Sequence, residues 1–116
     1  MPTTYTIKAK PKDQTQVGWY LEISRWLDDQ ATAPIVTRLT DWIEDDGVFT
    51  ATADLVDGRY GLAANLFGPG REVEIDMSPR PPIFQPAQSN WPFKAKLPAT
   101  TSQGFRIRFF RVGGGQ

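Results

Sequence analysis

Apolar and polar residues alternate with period two along nearly the whole chain, and no stretch of about 11 or more residues keeps its apolar positions at helical spacing, so the chain reads as all-β. Tyr5, Ile7 and Ala9 alternate with Thr4, Thr6, Lys8 and Lys10 in a first strand that stops near Pro11. Val17, Trp19, Leu21 and Ile23 set the inward phase of a second, which ends at Asp28-Asp29. A third runs from Ile35 to Ile43. The cluster Glu44-Asp45-Asp46-Gly47 turns it into a fourth, Val48 to Val56, with Phe49, Ala51, Ala53 and Leu55 on one face. Asp-Gly ahead of a β run is a hairpin signal, because the turn needs a positive φ that glycine adopts without steric cost. Asp57-Gly58 leads in the same way into a fifth strand, Arg59 to Phe67, and Gly68-Pro69-Gly70 into a sixth around Val73, Ile75 and Met77. A seventh strand places Trp91, Phe93, Ala95 and Leu97 against Lys94 and Lys96. The eighth places Phe105, Ile107 and Phe109 inward against Arg106 and Arg108.

About eight short strands with turn signals at this spacing predict an antiparallel two-sheet β-sandwich, immunoglobulin-like or similar, with a small closed β-barrel as the alternative. Residues 1–112 form one domain and 113–116 a flexible Gly-rich tail. Asp57-Gly58-Arg59-Tyr60 resembles the tyrosine corner of immunoglobulin-like domains, in which a tyrosine near a strand start bonds back to upstream backbone. That resemblance implies a sandwich and nothing about activity.

Reversal at each turn sorts the loops between two ends. One end takes the loops at Asp13, Asp45-Asp46, Pro69 and 98–104; the other takes 28–34, Asp57-Gly58 and the connection 78–91. The latter holds Pro79, Pro81, Pro82 and Pro86, which stiffen it, and long ordered loops in small domains are where function concentrates. Trp26 and Trp42 fall on the outward phase. Each is either an amphipathic platform for a sugar or a partner, or is returned to the core by a bulge.

Composition removes whole classes of chemistry. The chain has 116 residues with neither cysteine nor histidine, so disulfides, thiolates, imidazole catalysis and the usual zinc sites are absent. Its four serines have no base to activate them, and its acids sit in turns and polar phases, so no enzyme activity is expected. No uncharged apolar run approaches the roughly 18 residues of a membrane span, and no signal segment precedes the first strand, which leans toward the cytoplasm while leaving the compartment open.

Thirteen basic and thirteen acidic residues cancel overall but are sorted along the chain: the last six charged residues, Arg80, Lys94, Lys96, Arg106, Arg108 and Arg111, are all basic. Cross-strand pairing with Glu72, Glu74 and Asp76 accounts for this run if Lys94, Lys96, Arg106 and Arg108 decorate an outer face. Gln103 to Phe110 loosely resembles the first RNP motif of RNA-recognition domains, yet glutamine replaces the leading base, Arg106 a small residue, and Ile107 a stacking aromatic. With a neutral chain, no nucleic-acid partner is expected.

These readings converge on a non-enzymatic binding or assembly module acting through one loop end, as a protein–protein interaction domain or structural subunit, or else on a lectin-like carbohydrate-binding domain. The expected contact residues are Trp26, Asp28, Asp29, Arg80, Asn90 and Trp91. Asp28, Asp29 and Asp57 are the only calcium candidates, and no cofactor is expected.

Overall fold

The computed structural model describes residues 2–26 and 35–113. Among them are ten strands: β1 (Thr3–Pro11), β2 (Trp19–Trp26), β3 (Ile35–Arg38), β4 (Ile43–Asp45), β5 (Val48–Leu55), β6 (Gly58–Phe67), β7 (Glu72–Ser78), β8 (Ile83–Gln85), β9 (Phe93–Lys96) and β10 (Gln103–Val112). They build two antiparallel sheets of five strands, in the orders β4-β5-β1-β7-β9 and β3-β2-β6-β10-β8. The sheets stay separate, so this is a sandwich and not the closed barrel. Alternation is the cause: Tyr5, Ile7 and Ala9 of β1 and Val73, Ile75 and Met77 of β7 meet Leu21, Leu62, Ala64 and Leu66 of the opposing sheet in one buried cluster. Each large aliphatic side chain fully withdrawn from water there contributes about 1.5–3 kcal/mol.

The turns follow their residues. Asp46 and Gly47 both take positive φ, 53° and 80°, the pairing a two-residue hairpin with the right twist requires. Tyr60 Oη donates to the carbonyl of Val56 at 2.7 Å, the upstream backbone bond that its place after Asp57-Gly58 implies. The sorting of loops holds as well. At one end Asp13 ion-pairs with Arg71, and Gly70 N donates to Pro98 O. At the other, Trp26 lies opposite Arg59, Gly58 opposite Val112, and Trp91 Nε1 reaches Pro81 O at 2.7 Å.

Four sequence readings change. The second strand begins at Trp19, and Val17 is exposed in the loop before it. The expected third strand is two: Leu39 is buried with its N–H donated to Leu21 O, and Thr40 to Trp42 carry the chain from one sheet to the other. This crossing, rather than a bulge, brings the Trp42 ring edge-on to Trp19 at 5.4 Å. The Pro-rich connection contains a strand of its own, β8, paired with β10.

The fourth change concerns β10, whose phase is opposite to the expected one. Arg106 pairs with Ala64, Arg108 with Leu62 and Phe110 with Tyr60, all buried inward residues, so the arginines face between the sheets. Phe105, Ile107 and Phe109 pair with Asn65, Ala63 and Gly61 and lie on the outside. The strand runs on to Phe110 and Val112, both buried, and these two large side chains set its phase.

Candidate functional site

The reversed phase of β10 gives the sheet β3-β2-β6-β10-β8 an aromatic outer surface. Its centre is Gly61 of β6, flanked by Ser24 of β2 and Phe109 of β10. A Cβ at position 61 would stand 3.0 Å from Ile107 Cδ1 and Ser24 Oγ and 3.1 Å from Phe109 Cε1, so neighbouring side chains already occupy the space above this residue. Only a glycine leaves that room in mid-strand.

Across this gap runs a strip of three rings. Trp26, the last residue of β2, meets Phe109 edge-on with centroids 5.8 Å apart, and Phe109 meets Phe84 of β8 at 6.3 Å. Trp26 Nε1 donates to Ser24 Oγ at 3.0 Å. The indole's polar atom is thus satisfied underneath, while 41% of the residue remains exposed. Phe84 is 43% exposed; the Arg111 guanidinium stands 5.9 Å from its ring, and Arg111 N donates to the nearby Pro82 O. A second pair lies nearer the opposite end, where Tyr20 stacks on Phe67 at 5.9 Å beneath the Arg38 guanidinium, 3.8 Å from the Tyr20 centroid. Phe105, on the same face, is 59% exposed. Single exposed apolar residues are ordinary on a protein surface, whereas contiguous aromatic ones mark contact surfaces.

Among the described residues, Arg38, Arg59 and Arg111 occupy this face by register together with the carboxylate of Glu22, which accepts from Asn65 Nδ2 at 3.3 Å.

The residues expected from sequence are distributed unevenly around the strip. Trp26 belongs to it. Trp91 lies at the same end but on the other side of the sheet, buried against Phe93 and Phe110, so it presents no ring to a ligand. Its phase is inward, as the alternation with Phe93 and Ala95 predicts, and the stiff connection covers it. Arg80 is exposed and bound to Asp76 through Nη2–Oδ2 at 3.0 Å and Nε–Oδ1 at 3.2 Å. Asn90 and Asp57 are exposed, and Asp28 and Asp29 lie outside the described residues. No cluster of three or more His, Cys, Asp or Glu able to hold a metal ion occurs among the described residues. Phe84, Phe105 and Phe109 are the additions that the sequence reading missed.

One further concavity, a half-open groove of about 560 Å³, runs between β3 and the C-terminal half of β5. Its floor is Ile23, Leu39, Ala53 and Tyr60, and Asp54 on its rim already accepts a 2.6 Å hydrogen bond from Thr4 Oγ1. No helix among the described residues is long and apolar enough to cross a membrane. Compared with known proteins, the chain matches no family model, no curated protein and no solved structure.

Proposed function

We propose that this chain is a non-enzymatic binding module that docks another protein on the outer face of the sheet β3-β2-β6-β10-β8, with the Trp26–Phe109–Phe84 strip as its anchor. The observation that carries the reading is the contact of three partly exposed rings, contributed by three strands, above a glycine that leaves them room. Buried aromatic anchors supply most of the affinity at protein interfaces, and arginine is enriched beside them. Arg38 and Arg111 on this face favour a partner whose apolar patch is rimmed by aspartate or glutamate. The other outer face, by contrast, mixes Lys8, Lys10, Lys94 and Lys96 with Asp45, Asp54, Glu72, Glu74 and Asp76.

A carbohydrate reading rests on the exposed indole of Trp26. The neighbouring rings of the strip are phenylalanines, which lack the hydrogen-bonding groups that sugar hydroxyls need, and the protein reading is preferred for that reason.

Panning a phage-displayed peptide library on the wild-type domain tests the proposal. Enriched sequences are expected to pair aromatic or aliphatic residues with acids, and to bind Trp26→Ala and Phe84→Ala at least about tenfold more weakly, a loss of about 1.4 kcal/mol. Peptides that bind both variants as well as wild type would overturn it, as would a panel of sugars that alone quenches Trp26 fluorescence. A solution mass well above 13.0 kDa that Phe105→Lys returns to the monomer would replace the foreign partner with a second copy.

A further inference from the structure

The seam between β9 and β10 holds two arginines that form no ion pair among the described residues. Arg106 and Arg108 stand two residues apart on the inward phase of β10, about 7 Å from one Cα to the other. β8 covers β10 only at Phe109 and Phe110, and β10 has no further strand on that side along 103–108. Across the seam stands β9, the edge of the other sheet, whose Phe93 and Ala95, with Leu97 just beyond them, are buried. The Arg108 guanidinium lies 4.5 Å from the centroid of the Phe93 ring.

Nη1 of Arg106 donates to Phe105 O at 2.9 Å, and Nη1 of Arg108 to Ile107 O at 3.0 Å. Arg108 Nε is buried and has no hydrogen-bond partner. Neither arginine takes part in an ion pair among the described residues, where Arg71 pairs with Asp13, Arg80 with Asp76 and Lys96 with Glu72. Burial, and after it the charge of Arg106, lowers the pKa of Arg108, so both influences press on a cation that stays protonated regardless.

Arginine stems can bury their methylenes while the heads reach water, and that alone would explain two arginines at a sandwich margin. It leaves unexplained an N–H withdrawn from water without an acceptor, a loss that ordinarily costs about 1–3 kcal/mol. A guanidinium engaged only through Nη1 keeps its side-on edge, Nε with Nη2, for a two-oxygen acceptor.

We propose that the β9–β10 seam is an oxyanion site, in which Arg106 and Arg108 together hold a phosphate or carboxylate group. An anion there supplies the acceptor that Arg108 Nε lacks and relieves the repulsion between the two guanidinium groups. The two arginines lie on the inward phase of β10 and the aromatic strip on its outward phase, so either proposal can fail without the other.

Titration of the ¹⁵N-labelled domain with inorganic phosphate, and separately with acetate, tests this at constant ionic strength maintained with chloride. The arginine Nε–H resonances of Arg106 and Arg108 are expected to move saturably. Arg108→Gln and Arg106→Gln are each expected to weaken binding at least about tenfold, and Lys96→Gln, on the outer face of β9, by less than about twofold. Saturation by phosphate alone assigns a phosphoryl ligand, and saturation by both anions assigns any two-oxygen acceptor, a carboxylate included. Shifts that never saturate, that chloride reproduces, or that survive unchanged in both glutamine variants would overturn the site. Should Arg108→Gln fail to fold, the wild-type resonances and Arg106→Gln decide the matter.

Discussion

The two outer faces of the sandwich follow the same alternation and have opposite surfaces. On the sheet β4-β5-β1-β7-β9, Lys8 stands across from Asp76, and Glu74 lies between Lys10 and Lys94. Lys96 Nζ approaches Glu72 Oε1 at 3.9 Å. This is a charged lattice that water covers well, with pairs of opposite sign across neighbouring strands. On the other sheet the equivalent positions carry Trp26, Phe84, Phe105, Ile107 and Phe109. Both inner faces contribute to one shared core, with Arg106 and Arg108 of β10 at its margin. Amphipathicity accounts for most of the first sheet, where Ile43 on the edge strand is the exposed apolar exception, while the second keeps aromatic surface that folding alone does not require. The contrast sets the second face apart without reference to any motif, and that face is the one proposed to bind.

The largest expected effect tests the part the sheets share. Truncating Leu62 to alanine, on the inner face beside Gly61, removes a fully buried side chain and is expected to cost about 2–5 kcal/mol, read as a lower denaturant midpoint. Phe109→Ala comes next. It removes the middle ring of the strip, and expected losses are at least about tenfold in peptide affinity but only about 1 kcal/mol or less in stability, since the ring is already partly exposed. If stability fell as far as in Leu62→Ala, the two faces of this sheet would not differ as described. On the charged lattice, Glu74→Gln is expected to cost less than about 1 kcal/mol, shrinking further in about 1 M salt, where screening acts within about 3 Å.

The smallest effect lies at the loop end. Burial alone would raise the pKa of Asp13, but hydrogen bonds from Thr15 N and Oγ1 and the Arg71 guanidinium outweigh it and hold the carboxyl below its ordinary 3.8. A depressed carboxyl stabilises the fold above its unfolded pKa and loses that contribution as the pH falls through the folded value. The stability gap between wild type and Asp13→Asn should then be under about 1 kcal/mol at neutral pH, given the exposure of the pair, and close below pH 3.8. A gap that widened on acidification would show that Asp13 gains nothing from its partners.

Most of the fold was legible because alternation and turn chemistry act locally. Asp46-Gly47, Asp57-Gly58 and the runs through Ile7, Leu21, Leu62 and Ile75 each state their own conformation. The crossing at 39–42 was not legible, since a strand that changes sheets keeps its extended backbone, and only tertiary packing of Leu39 and Trp42 marks the break. The strip was missed for a related reason. In β10 both phases carry large apolar side chains, Phe105, Ile107 and Phe109 on one and Phe110 and Val112 on the other, and reading to Phe109 alone assigns the wrong one. Two inward arginines made the true phase look polar. Gly61 was the available signal, because a glycine in the middle of an otherwise apolar strand asks what lies above it. Trp26 keeps the outward phase that the alternation predicts, while Trp91 shares its loop end but follows its own inward phase into the core.

The hydrogen bond from Trp26 to Ser24 has a consequence for selectivity. A tryptophan whose N–H seeks an acceptor from its visitor discriminates by that bond, and rejects surfaces that cannot supply it. Here the requirement is met from within the sheet, so the indole can be covered by any apolar group of suitable shape. Under the proposed docking, discrimination among visitors would shift to Arg38 and Arg111, and a surface that fits the rings but lacks carboxylates would be refused by the cost of burying those two cations.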